Sequence, residues 1–178
     1  MAYADSNLLP RRRALCAAGA GLLAAVAGSR QARAAPAPPK LEFAFEERVR
    51  LEPESELGVT PFGRRSRAPI IGGTIAGPRI HGTVLSGGMD FQLLRGDSYL
   101  QLDADYLIRA DDGAIIHVRN RGLFYSRSKD WPAEYAAASP VFEAPIGPHD
   151  WLNKSIFVST ISEWRDGPGV IVDIFRVM

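Results

Sequence analysis

From Leu41 to Leu51 hydrophobic and polar residues alternate. Leu41, Phe43, Phe45, Val49 and Leu51 share one face of an extended segment, and Glu42, Glu46, Arg48 and Arg50 share the other. A period of two is the signature of a half-buried strand. Glu47 interrupts the apolar face. Between Glu52 and Pro69 the alternation stops, and Gly, Pro and three arginines read as a loop. From Ile70 onward, short strand-like runs end in turn signals: Ile80–Leu85 at Ser86-Gly87-Gly88, Asp90–Leu94 at Arg95-Gly96-Asp97, and Tyr99–Arg109 at Asp111-Asp112-Gly113. An Asp-Gly between two such runs marks a hairpin, because Gly supplies the positive φ of a tight primed turn. Ala114–Tyr125 follows as a strand rich in β-branched residues. Residues 126–150 hold four prolines and no alternation, which predicts a long excursion with one helical turn at Trp131–Ala138. Asn153–Trp164 and Val170–Val177 form a closing hairpin.

Strands about a dozen residues apart with Gly-rich turns predict a barrel or sandwich. Sequential hairpins favour an up-and-down barrel, which leaves no exposed edge. The expected fold is therefore all-β: a single antiparallel β-barrel over residues 41–178, preceded by a cleavable helical signal peptide.

That signal occupies residues 1–34. Arg11, Arg12 and Arg13 precede an apolar run from Ala14 to Gly28, and Ala32-Arg33-Ala34 offers small residues where a signal peptidase reads. The run is too short to span a bilayer, and the paired arginines resemble a twin-arginine export signal. Cleavage between Ala34 and Ala35 leaves Ala35–Lys40 as a Pro-rich linker and removes Cys16, the one cysteine of the chain. The expected product is periplasmic or secreted, carries no membrane anchor, and has neither disulfide nor thiol nucleophile.

Composition narrows the function classes. The chain has 178 residues, 46% of them hydrophobic and 23% charged, with a net charge of +1. That is the balance of a globular protein, and it lacks the basic field that nucleic-acid binding needs. Gly72-Gly73-Thr74-Ile75-Ala76-Gly77 has neither the dinucleotide spacing nor the Lys-Ser/Thr ending of a P-loop. His81, His117 and His149 are too far apart for short-range ligand spacing, so neither a metal nor a cofactor is expected. Arg95-Gly96-Asp97 reads as a turn.

The candidate chemistry lies in the strands. His117, Arg119 and Arg121 share one face, as do Asp103 and Asp105 on the preceding strand. A hairpin centred on residues 112–113 sets Asp105 opposite Asn120 or Arg119, and Tyr106 near Arg119. An Asp facing an Arg across strands either staples the sheet or binds a ligand. Tyr106 and Asp103 have opposite parity, so both reach one cavity only through a bulge. Asp103, His117 and Arg119 are the catalytic candidates. Asp90, Asp103, Tyr106, Arg119, Arg121, Trp151 and Asn153 are the ligand-binding candidates.

The stretch Pro69–Phe91 (PIIGGTIAGPRIHGTVLSGGMDF) resembles the domain of unknown function 3237 family. Further resemblance runs through Leu102–Tyr106, Asp111–Val118, Asn120-Arg121-Gly122, Pro140–Glu143, Trp151-Leu152-Asn153 and Phe157-Val158. It spans roughly Leu41 to Met178. It implies a compact β-barrel of lipocalin-like or allene-oxide-cyclase-like type and little about activity. The chain departs from the family pattern at Ser86, where Pro is usual, at Phe91, where Trp is usual, and at Ala136-Ala137-Ala138, which replaces Phe-Arg-Thr. Two functions stay open: a small-molecule barrel, binding a ligand or acting as a cofactor-free isomerase, cyclase or lyase, and a filled structural or interaction module of the cell envelope. Charged rows pointing into the lumen favour the first, and rows pointing to solvent favour the second. Oligomeric state is not legible in the sequence.

N-terminal sequencing of the envelope fraction is expected to begin at or next to Ala35. Intact Met1–Arg33 on soluble cytoplasmic protein would contradict export.

Overall fold

The computed structural model describes residues 35–128 and 130–178. The expected signal peptide, residues 1–34, lies outside the described residues. Ten strands follow in chain order: β1 (Leu41–Leu51), β2 (Ser55–Thr60), β3 (Gly63–Ala76), β4 (His81–Val84), β5 (Gly88–Leu94), β6 (Leu100–Ala110), β7 (Ile115–Tyr125), β8 (Tyr135–Glu143), β9 (Phe157–Glu163) and β10 (Gly169–Val177). The one helical element among the described residues is a 3-10 turn at Asp150–Lys154.

All pairings are antiparallel, and they close. The path runs β1-β10-β9-β8-β7-β6, passes through β4 and β5 to β3, and β3 pairs back onto β1. β4 and β5 share one slot, since β4 binds the C-terminal half of β3 and β5 its N-terminal half. β2 pairs only with β3, as a hairpin that overhangs one end. The result is a closed eight-stranded barrel. Closure removes the exposed edges that an open sheet of this size presents.

Two sequence expectations change. The stretch read as a loop between Glu52 and Pro69 holds β2 and the first half of β3. Alternation is hard to see there because the hairpin overhangs the barrel and leaves Leu57, Val59 and Phe62 exposed beside its arginines. In place of the helical turn expected at Trp131–Ala138, residues 131–134 bend into the start of β8, whose alanines pair with β7, and the helical turn lies after it at Asp150–Lys154.

The barrel is packed unevenly. Its lower half is filled by Phe45, Ile108, Ile116, Phe142, Phe157 and Ile174, with Leu152 of the 3-10 turn closing the end. Phe142 contacts both Phe45 and Phe157 through tilted or edge-on rings, an arrangement that adds specific attraction to area burial. The upper half carries smaller or partly buried inward residues such as Leu102, Ala104, Gly122 and Ala138. Room is left there.

Closure depends on a close approach at Gly73. It has φ +147° and pairs with Val49 across β1 and with Val84 across β4. A Cβ at this position would run into the Arg48 carbonyl oxygen. Gly73→Ala therefore strains the backbone and pushes β1 away from β3. The expected cost is about 2 kcal/mol or more, read as a lower urea midpoint.

Candidate functional site

The upper half of the barrel encloses a cavity of about 240 Å³. Its wall is mainly apolar, from Val49, Leu51, Ile70, Leu102, Val170 and Val172. Phe124 and Trp131 meet edge-on, 5.0 Å between ring centroids, and contribute an aromatic side. A mostly apolar pocket with a few convergent polar groups is the usual form of a small-molecule site.

The polar groups gather where the open and filled halves meet. In β1 the alternation that sends Phe45, Val49 and Leu51 inward sends Glu47 inward too, and its exposure is 0%. In β6 the same period places Tyr106 between Ala104 and Ile108 on the inner face. Tyr106 lines the cavity, and its hydroxyl donates to Glu47 Oε2 at 2.5 Å. Glu47 Oε1 is buried with no partner among the described residues. Gly88 of β5 lies against this Tyr, since a Cβ there would collide with the Tyr106 side chain.

Asp90 forms a second polar group in the cavity wall. Gln92 Nε2 donates to its Oδ2 at 2.8 Å and the Asp103 backbone N–H to its Oδ1 at 3.0 Å. Gln92 Oε1 in turn accepts from Ser66 Oγ at 3.2 Å. Asn120, on β7 opposite Ala104, completes the set at 6% exposure.

Burial acts on the acids in one direction. It pushes the Glu47 carboxyl up from 4.5 to about 7, and the Tyr106 hydrogen bond only partly opposes it. Burial also raises Asp90, against the opposing bonds from Gln92 and Asp103. Tyr106 is held well above its ordinary value by burial and by the neighbouring Glu47, so it stays a neutral donor. A carboxyl held at about 7, as Glu47 is, is poised between charged and neutral at neutral pH and suits general acid–base work.

The sequence candidates separate. Asp90 and Tyr106 line the cavity. Asp103, Arg119 and Arg121 do come together, with Arg119 Nε 3.1 Å and Arg121 Nε 3.2 Å from Asp103 Oδ1, but they do so on the outer wall. His117 likewise lies outside, 2.9 Å from Asp105 Oδ1. The ladder between β6 and β7 runs without a bulge, so Tyr106 and Asp103 stay on opposite faces. The bulge that would let Tyr106 share a cavity with Asp103, and so join Arg119 and Arg121 in one site, is not there. Asp105 does sit opposite Arg119 in register, but Tyr106 pairs with Val118. The two arginines hold the Asp103 carboxyl below its ordinary value, Arg119 first. This is a solvated ion-pair cluster.

Trp151 and Asn153 sit at the closed end, away from the cavity. Trp151 is buried beneath the Arg79 guanidinium, which lies 4.2 Å from its ring centroid. The Asn153 amide pairs with both the N–H and the C=O of Ala144, at 2.8 and 2.9 Å, and staples the 3-10 turn to the end of β8. Sequence reasoning missed Glu47 and Asn120 as site residues. The signal for Glu47 was its carboxylate on an otherwise apolar strand face. For Asn120 it was an amide inside the Ile116/Val118 parity set.

The protein-family model described as "Protein of unknown function (DUF3237)" matches residues 39–177. A protein named UPF0311 from Clostridium acetobutylicum is 37% identical over 126 residues, covering 65% of this chain and 78% of the relative. The crystal structure of a β-barrel-like protein from Acinetobacter baumannii superimposes with a TM-score of 0.72 at 30% identity, covering 82% of this chain and all of the other. The hydroalkoxylation enzyme phnH of Penicillium herquei is 30% identical over 135 residues, 76% of this chain and 78% of that one.

The folded Glu47 value lies above its unfolded one, so folding favours the protonated acid. Its stabilising contribution is complete below about pH 4.5 and is lost as pH rises through about 7. A displacement of that size corresponds to about 3 kcal/mol. The urea midpoint is therefore expected to fall from pH 5 to about pH 8. Glu47→Gln should flatten that slope. An unchanged slope would mean that Glu47 titrates as an exposed acid.

Proposed function

The chain belongs to the DUF3237 family, and on that premise we propose that it is a small-molecule barrel that binds an organic ligand in its lumen and carries out cofactor-free proton transfer on it. The observation that carries this reading is the meeting of Asp90 and the Tyr106–Glu47 pair at one apolar cavity. A packed lower half and an open upper half support binding, because a purely structural barrel gains nothing from leaving about 240 Å³ unfilled.

Asp90 is the group placed to exchange a proton with the ligand directly. Glu47 acts through Tyr106, whose hydroxyl stands between the sealed carboxyl and the cavity. Together they make an acid and a base of unequal burial, the arrangement that lets one site deliver a proton at one atom and remove it at another. Isomerisation, cyclisation and elimination all need that pair and no redox group. The hydroalkoxylation named for the Penicillium relative adds an O–H across a carbon–carbon double bond, and that too is a proton transfer joined to C–O bond formation. The barrel is proposed to work in the periplasm or outside the cell, on the strength of Arg11–Arg13, the apolar run and the Ala34/Ala35 cleavage site. A non-catalytic envelope module is the competing reading, favoured by the outward direction of the Asp103–Arg119–Arg121 row.

Native mass spectrometry of protein purified from its own host tests the reading. The parent should retain an organic ligand, and Ala104→Leu, which fills the cavity beside Asp90, should lose it. Arg119→Ala on the outer wall should retain it. In D₂O the retained ligand should take up deuterium at carbon, and Asp90→Asn should bind without exchange. Absence of ligand from the parent, with Ala104→Leu unchanged in behaviour and more stable, would leave the structural module.

A further inference from the structure

The cavity wall also restricts what can enter. Its charged lining residues among those described are Glu54, Asp90 and Asp130, and no Arg, Lys or His is among them. Glu54 and Asp130 are exposed at the rim, while Asp90 lies within. A carboxylate or phosphate ligand would meet acids on the way in and no counter-charge among the described lining residues. Desolvating it there without a partner is strongly unfavourable. A cation fares little better in the interior. Asp90 is the one acid inside the described lining, burial disfavours its charged form, and the surrounding wall is apolar.

Asn120 supplies the complementary observation. Its side chain lines the cavity, it is 6% exposed, and its amide makes no hydrogen bond among the described residues. Its Oδ1 is buried without a partner among the described residues. Nearly every buried side-chain amide in a folded protein is paired, because an unmet one carries its full desolvation penalty. Asn153 shows the paired case within this same barrel, with both ends of its amide used. Asn120 differs in facing the space that a ligand would fill. Rotation of its terminal amide presents either a donor or an acceptor. A hydroxyl can answer both, since it donates once and accepts twice. The size of the space adds a bound. A cavity of about 150 Å³ holds one benzene ring, so about 240 Å³ suits a molecule of two fused rings.

Resting on the reading of the lumen as a ligand site, we propose that the cavity selects an uncharged, two-ring-sized molecule bearing a hydroxyl, and that Asn120 is the residue that recognises that hydroxyl. Asn120 is thus a specificity residue, beside the acids that move the proton. Its neighbour across the sheet is Ala104, which keeps the amide reachable from the lumen.

Four naphthalene probes of similar size separate the claims. Calorimetric titration of the full chain near neutral pH uses 1-naphthol, 1-methylnaphthalene, 1-naphthoate and 1-naphthylmethylammonium. The naphthol should bind at least tenfold more tightly than the methyl compound, although the methyl compound is the more hydrophobic. Neither charged probe should reach saturation. Asn120→Leu should erase the preference for naphthol while keeping 1-methylnaphthalene bound, and Asn120→Ala should do the same if the leucine variant fails to fold. Equal or tighter binding of either charged probe would overturn the charge selection. A naphthol preference that survives both Asn120 variants, or that is missing from the parent, would overturn the role of Asn120 while leaving the lumen as a binding site. Failure of all four probes to bind would overturn this inference. Retention of a native ligand in mass spectrometry would then decide separately whether the small-molecule reading stands.

Discussion

An eight-stranded barrel has a bore fixed by strand number and tilt, just wide enough to be filled by side chains or to hold one small molecule. Every other property of this protein follows from which side chains the strands turn into that bore. Where β1, β6, β7 and β8 send in Phe45, Ile108, Ile116 and Phe142, the interior is solid. Further along the same strands they send in Val49, Ala104, Gly122 and Ala138, and a cavity remains. The change from large to small happens within a single strand turn of Glu47, Tyr106 and Asn120. The polar floor of the site is therefore a boundary between two packing regimes. It is not an insertion into an otherwise uniform core.

That position explains why buried acids are tolerated. A carboxyl set in the solid half would have no polar neighbour and no ligand. At the boundary Glu47 keeps the Tyr106 hydroxyl on one oxygen, and its other oxygen has no partner among the described residues. Burial then raises its pKa toward neutrality, where holding or releasing a proton takes little free energy. Burial raises Asp90 in the same direction, and the Gln92 and Asp103 N–H bonds oppose it by favouring its charged form. The closed end needs none of this. Asn153 and Trp151 are spent there on fastening the 3-10 turn and covering the core.

Much of the fold was legible because β-strands announce themselves locally. Period-two runs, Asp112-Gly113 and the glycine turns gave seven of the strands with small boundary shifts. β3 was not delimited, its first half being read as a loop, and β2 and β8 were not legible. β2 overhangs the barrel and has no buried face, so it lacks alternation. β8 is written in alanines and a proline, whose burial depends on partners more than a dozen residues away. The charged row on β6 and β7 was legible as a cluster, since parity alone puts Asp103, Asp105, His117, Arg119 and Arg121 on one face. Which face is the lumen is decided by closure, a property of the whole sheet. The inner acid was visible as the exception to β1 alternation. Its pairing with Tyr106, 59 residues away, could come only from the closed topology.

The two faces of β6 and β7 show how one hairpin serves two opposite demands. Outside, alternating acids and bases neutralise each other in water, where each pair contributes little and is readily rearranged. Inside, polar residues at the intervening positions sit in a dry setting, where each unmet hydrogen bond is costly. The same residue types thus differ in consequence by direction alone. An arginine turned inward at Asn120 would supply the counter-charge that the described lining lacks and would draw in anions. The asparagine keeps the lumen polar without giving it a positive charge. With the acids already at the rim and floor, that choice biases the site toward neutral chemistry, and the raised carboxyls can act there without being captured in permanent ion pairs.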